Sequence, residues 1–137
     1  MENNTHTVQS QIGLHGLQTL NTNALHQFYS DLPEEKNGTN SGMNPKEIIL
    51  SGLGSCTCIT LKVYAASKNI PLIGVNVTLS LSDPINPAQA TFIDRKIELL
   101  GDLTEEQKDK LLQVAIKCPV AKLLSGEIKI ESEILKK

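Results

Sequence analysis

The stretch Pro45-Lys46-Glu47-Ile48-Ile49-Leu50-Ser51-Gly52-Leu53-Gly54-Ser55-Cys56-Thr57 decides how the rest of the chain is read. Asn44 suits an N-cap, Pro45 the first helical position, and Glu47 the third, where its carboxylate can reach back to the cap. The helix that begins here is expected to run to about Lys68, stopped by Asn69 and Pro71. From Ile48 to Ala66 nearly every face is apolar or small, so the helix is expected to be enclosed on most sides. The interruptions at Ser51, Gly52, Gly54, Ser55 and Lys62 argue for a buried helix and against a membrane span. Two glycines inside a helix cost about 1 kcal/mol each relative to Ala, which points to a close approach by another element, most simply a second helix.

Outward from this helix the pattern changes. On the N-terminal side, Val8 to Leu14, Gln18 to Leu20 and Ala24 to Tyr29 read as a small antiparallel meander, followed by a polar loop over Pro33 to Gly42. On the C-terminal side, Leu72, Val75, Val77, Leu79 and Leu81 alternate with Asn76, Thr78 and Ser80. A second alternating run, Thr91 to Leu100, places Ile93, Ile97 and Leu99 opposite Asp94, Lys96 and Glu98. Thr104-Glu105-Glu106-Gln107 has capping-box spacing for a second helix ending near Cys118 at Pro119. Glu127 to Ile134 reads as a last strand carrying Ile128, Ile130 and Ile134 on one face. The order is that of an α+β fold with a largely antiparallel sheet, and 137 residues suit one domain, 1–137.

Composition narrows the function. Hydrophobic residues make up 39% of the chain but aromatics only 3%, and the formal charge is −2. Stacking platforms and a basic surface are both missing, so neither nucleic acid nor a membrane is an expected partner. Met1 to Gln11 has no basic n-region or apolar h-region, so no signal peptide and a cytoplasmic location are expected. Three cysteines with no export signal are expected as reduced thiols. Cys56 and Cys58 differ by about 200° around a helix, too far apart for a disulfide. Zinc-ligand spacing is absent, and no metal or other cofactor is expected. Cys58 reads as a small buried hydrophobe. Cys56 and Cys118 each lie on the inward face of their own helix and could meet; the alternative is that all three are core cysteines.

The segment quoted at the outset resembles the P-x-E-L-L-L-A-A-L-G-S-C-T signature of the osmotically inducible protein C and organic hydroperoxide resistance (OsmC/Ohr) family. Gly101-Asp102-Leu103-Thr104-Glu105-Glu106-Gln107 and Lys117-Cys118-Pro119-Val120 resemble the cap of its second helix and its C-P-V motif. The resemblance covers about Asn44 to Ile134 and implies the OsmC-like fold in an intertwined homodimer whose sites draw on both chains. It implies that Cys56 attacks an organic hydroperoxide and that Cys118 resolves the sulfenic acid to a Cys56–Cys118 disulfide. A small dithiol, lipoyl or similar, then reduces it. The other reading of the same fold is a binding or redox-responsive module with little peroxidase activity.

Glu47 lies about 13 Å along the helix and half a turn away from Cys56. It is either a capping residue alone or, as the resemblance implies, a carboxylate that serves the partner chain's site. The peroxidase branches carry an arginine in the N-terminal strand region. Here the single arginine is Arg95, on the apolar-patterned face of its strand, either a substitute charge partner for the thiolate or a surface residue at the sheet edge. His15, His26 and Lys46 are further candidates for that charge.

Overall fold

A computed structural model describes residues 5–136. The chain falls into two compact units, one up to Ile49 and one from Leu50 onward, and its element content is α+β.

In the first unit, β1 (Gln9–Gln11), β2 (Thr19–Thr22) and β3 (Gln27–Ser30) form an antiparallel meander in that order. The strands are shorter than the sequence pattern suggests. Their alternation is weak and most of their residues are exposed. A loop follows with a single turn of 3-10 helix at Glu34–Lys36. The Asp31 carboxylate ties it together, accepting hydrogen bonds from the Ser41 and Thr39 hydroxyls at 2.6 and 2.7 Å and from the Leu32, Thr39 and Ser41 amides.

Helix α1 spans Pro45–Ser67. Its entry is the expected reciprocal cap: the Asn44 amide donates to Glu47 Oε1 at 3.0 Å and the Glu47 amide to Asn44 Oδ1 at 2.9 Å. Its exit turns on Asn69, whose φ of 55° lies in the left-handed region that Asn tolerates. By length and composition α1 would suit a membrane span. Its burial is nevertheless one-sided. Leu53, Thr57, Leu61 and Ala65, four residues apart, are buried, whereas Ile59 and Val63 are 63% and 65% exposed. The expectation of a helix covered on most sides is therefore not met within a single chain.

The second unit pairs β4 (Gly74–Ser82) with β5 (Phe92–Leu100) in antiparallel register, Leu79 opposite Arg95 and Val77 opposite Ile97. The alternation read from the sequence is visible in their burial, every second residue of β4 from Val75 to Leu81 being partly covered. Gly54 of α1 lies where a Cβ would stand 2.9 Å from Leu79 Cδ1, so its bare backbone serves a helix–sheet contact; nothing approaches Gly52. Gly101 ends β5 at φ 139°, and a Cβ there would meet the Pro71 carbonyl oxygen at 2.3 Å. Helix α2 (Glu105–Ile116) opens on the full Thr104/Gln107 capping box. Its Leu111 and Ala115 close a core with Leu61, Ala65 and Leu72.

The C-terminal part departs from expectation. Pro119 does not merely stop α2 but occupies the first position of a third helix, α3 (Pro119–Ser125), where a missing amide proton costs nothing. Among the described residues, 126–136 form neither helix nor strand, so the expected last strand from Glu127 to Ile134 is not found. Its alternation is real, but a strand exists only by pairing. In a single chain Ile130 and Ile134 are 85% and 97% exposed.

Candidate active site

The second unit brings Cys56, Thr57, Arg95 and Cys118 together. Cys56 and Thr57 come from the middle of α1, Arg95 from the inward face of β5, and Cys118 from the N-cap of α3. The fold gives each its position. The α1 face that buries Leu53 and Leu61 carries Thr57 between them. The α2–α3 junction, with Pro119 fixing its backbone, holds Cys118 completely inside.

All three cysteines are free thiols. Cys56 is half-buried; its Sγ accepts from the Val120 amide of α3 at 3.4 Å and lies 3.8 Å from the Thr60 hydroxyl. Cys56 and Cys118, 62 positions apart in sequence, are brought near each other, close enough for the Cys56 thiol to favour the Cys118 thiolate. Cys58 stands apart, its thiol donating to the Val75 carbonyl of β4 at 3.8 Å, which suits a half-buried packing residue. Cys118 is the N-cap of α3 without closing a full cap hydrogen bond, but the Ala121 amide still faces its sulfur.

Arg95 points inward. Its Nη1 donates to Thr57 Oγ1 at 2.9 Å and to Cys118 Sγ at 3.7 Å. Among the described residues of this unit no carboxylate forms an ion pair with it. Burial pushes the Cys118 thiol up, but the Ala121 amide, the Cys56 thiol, the Thr57 hydroxyl and the Arg95 guanidinium outweigh it and hold Cys118 below the usual cysteine value. Thr57 has one proton, and it is committed to the Leu53 carbonyl at 2.7 Å, against 4.0 Å to Cys118. We therefore assign more of the thiolate's support to the guanidinium than to the hydroxyl.

A cavity of about 340 Å³ opens beside Arg95, lined by Leu53, Thr91, Ile93, Ala121, Leu124 and Ser125. Ile59, though next to the cysteines in sequence, lies on the exposed face of α1.

Of the other sequence candidates, Glu47 is an exposed residue in the first turn of α1, engaged with Asn44. Lys46 is its exposed neighbour, and His15 and His26 are exposed residues of the first unit. The sequence reading passed over Thr57 and the amides of Val120 and Ala121. The signal for the amides was present in Cys118-Pro119: a residue before an N1 proline is an N-cap, and the first-turn amides that follow have no partner within their helix.

The antiparallel α+β fold thus gathers two free cysteines and a guanidinium in one place. The family model described as OsmC-like protein matches residues 38–133, and the chain belongs to that family. Among curated proteins no sequence matches the chain. Solved structures share its fold. The OsmC-like protein from Mycoplasma pneumoniae is 21% identical, with a TM-score of 0.77, covering 91% of this chain and 90% of that one. The organic hydroperoxide resistance protein OsmC from Legionella pneumophila is 20% identical, with a TM-score of 0.67, covering 92% and 93%. The organic hydroperoxide resistance protein OhrB of Bacillus subtilis is 22% identical, with a TM-score of 0.62, covering 89% and 91%.

Proposed function

We propose that this chain is a thiol peroxidase that reduces organic hydroperoxides and is recycled by a dithiol. The observation that carries the reading is that two free cysteines from elements far apart in sequence, one half-buried and one sealed, gather beside one guanidinium. The fold similarity to proteins named for organic hydroperoxide resistance supports it.

In the proposed reaction the Cys56 thiolate attacks the terminal peroxide oxygen. The O–O bond breaks, and the departing alkoxide takes a proton to leave as an alcohol. Cys56 is left as a sulfenic acid. Cys118, held toward its thiolate by Arg95 and the Ala121 amide, attacks the Cys56 sulfur and expels hydroxide, which leaves as water once protonated. The product is a Cys56–Cys118 disulfide; two thiols have been oxidised and one hydroperoxide reduced. Leu53, Ile93 and Leu124 give the cavity beside Arg95 apolar surface that an alkyl or aryl substituent would cover and hydrogen peroxide would not.

The same reading includes a homodimer. Ile59 and Val63 on α1 and the isoleucines of 126–136 are apolar surface that a second copy would cover. Glu47, about 13 Å along an ideal helix from Cys56 and on its opposite side, would then serve the partner's site. The location that suits such reduced thiols is the cytoplasm.

The test is consumption of cumene hydroperoxide by the purified protein with dihydrolipoamide as reductant. Turnover that disappears in Cys56→Ser is expected, together with loss of the intramolecular disulfide in Cys118→Ser. A folded protein that consumes no hydroperoxide would sink the reading and leave a redox-responsive or binding module.

A further inference from the structure

We propose that re-reduction has a fixed direction: the external dithiol attacks Cys56, and Arg95 is the catalytic residue of that step, stabilising Cys118 as the departing thiolate. This rests on the disulfide chemistry proposed above and deepens it.

Two independent features lead here. The first is access. Thiol–disulfide exchange needs the attacking thiolate to approach one sulfur in line with the bond being broken. Cys118 has no exposed surface, whereas Cys56 is only half-buried. The second is charge. The leaving sulfur departs faster where its thiolate is stabilised. The Arg95 guanidinium reaches Cys118 Sγ at 3.7 Å and is held there by Thr57 Oγ1 at 2.9 Å. Cys56 is met by the neutral Val120 amide at 3.4 Å and the Thr60 hydroxyl at 3.8 Å. The reverse direction would require a reductant to reach the sealed sulfur and release the one with the weaker support.

The bonds balance. The first thiolate of the reductant donates its electron pair to Cys56 Sγ and forms a mixed disulfide. The Cys56–Cys118 bond breaks, its electron pair staying on Cys118 opposite the guanidinium. The second thiol of the reductant, once deprotonated, attacks its own linked sulfur and releases Cys56 as a thiolate. The reductant leaves as a disulfide, two electrons having passed to the protein, and its two thiol protons go to the cysteines or to solvent.

The test forms the protein disulfide with diamide, so that no peroxide turnover is needed. It then adds excess 2-mercaptoethanol, quenches with acid, blocks free thiols and maps the mixed disulfide by peptide mass spectrometry. The adduct is expected on Cys56. An adduct mainly on Cys118, or divided evenly, overturns the direction. In parallel, reduction of the same disulfide by dihydrolipoamide is expected to slow about tenfold or more in Arg95→Gln, with Arg95→Lys in between. An unchanged rate in Arg95→Gln overturns the role of Arg95. The mapping uses the unsubstituted protein, so a folding defect in either variant leaves the proposal falsifiable. If diamide gives no Cys56–Cys118 disulfide, the resolving chemistry and this inference fall together. A correct map without hydroperoxide turnover fails only the peroxidase reading.

Discussion

Arg95 of β5 donates a hydrogen bond to the sulfur of Cys118, the cysteine that is fully buried, and not to that of Cys56. A cation set against the sealed sulfur of a dithiol favours the thiolate of that cysteine. The titration of Cys118 is therefore expected below the ordinary cysteine value of ~8.5. Thiolate absorbance near 240 nm, taken as the difference between the reduced protein and its Cys118→Ser variant, reads it directly. In Arg95→Gln the same transition is expected at higher pH. A Cys118 that titrates identically with and without the guanidinium would contradict the assignment of its support to Arg95.

Glu47 separates a structural role from a chemical one. Its carboxylate accepts from the Asn44 amide at 3.0 Å and closes the cap of α1. Glutamine can close the same box without the charge. Glu47→Gln is thus expected to retain the melting temperature, and Glu47→Ala to lose on the order of 0.5–1 kcal/mol. If Glu47 also serves the partner's site, Glu47→Gln lowers hydroperoxide turnover by about tenfold or more at unchanged stability. Equal activity in both would reduce Glu47 to a cap.

The contrast between Glu47 and Arg95 shows how far the sequence reaches. The start of α1, the Thr104/Gln107 box and the alternation of β4 and β5 were legible because each depends on residues within a few positions of one another. Arg95 could only be named as one of two possibilities. Its strand face was visible, but contact with Cys118 depends on how β5, α1 and α3 meet. Helix α3 was missed because Pro119 was read as an end when the same residue also permits a beginning. The strand expected over Glu127–Ile134 had the right pattern, but pattern alone supplies no pairing edge.

Asp31 makes the first unit acid-sensitive. The Ser41 hydroxyl, the Thr39 hydroxyl and the Leu32 amide, against the opposing effect of burial, hold its carboxyl well below the usual carboxylate range. A group depressed on folding contributes its full stability above the unfolded value of ~3.9. That contribution is lost as pH falls below it toward the folded-state value. Thermal melts should therefore show Asp31→Asn below the unsubstituted protein at pH 7, with the gap closing as pH falls below about 4. A gap that stays constant across that range would mean that the charge contributes nothing.

Gly54 tests the contact between α1 and the sheet. A Cβ there would lie 2.9 Å from Leu79 Cδ1, the far end of a flexible side chain that can move. Gly54→Ala also gains about 1 kcal/mol of helix propensity, so a change close to neutral is expected. Gly54→Val adds bulk that a rotamer shift of Leu79 cannot absorb, and is expected to cost about 1–3 kcal/mol by denaturant unfolding. The same substitution at Gly52, where nothing stands within 4 Å in a single chain, should be far milder unless a second copy covers that face.

That second copy gives the last prediction. Ile59 and Val63 are exposed on the outer face of α1, so replacing both with Glu removes little packing from a folded single chain. If the face is instead the centre of a dimer, two buried carboxylates per chain oppose assembly, because burying unpaired charge costs far more than the lost apolar contact. A stable interface needs roughly 1,200–2,000 Å² of total buried surface, more than one helix face supplies, so the isoleucines of 126–136 are expected to contribute as well. Sedimentation at micromolar concentration should then show a dimer for the unsubstituted protein. Ile59→Glu/Val63→Glu should sediment as a folded monomer, and truncation after Gly126 should show weakened association. A monomeric unsubstituted protein would remove the dimer. It would also require Glu47 to act, if it acts at all, only on the helix that it caps.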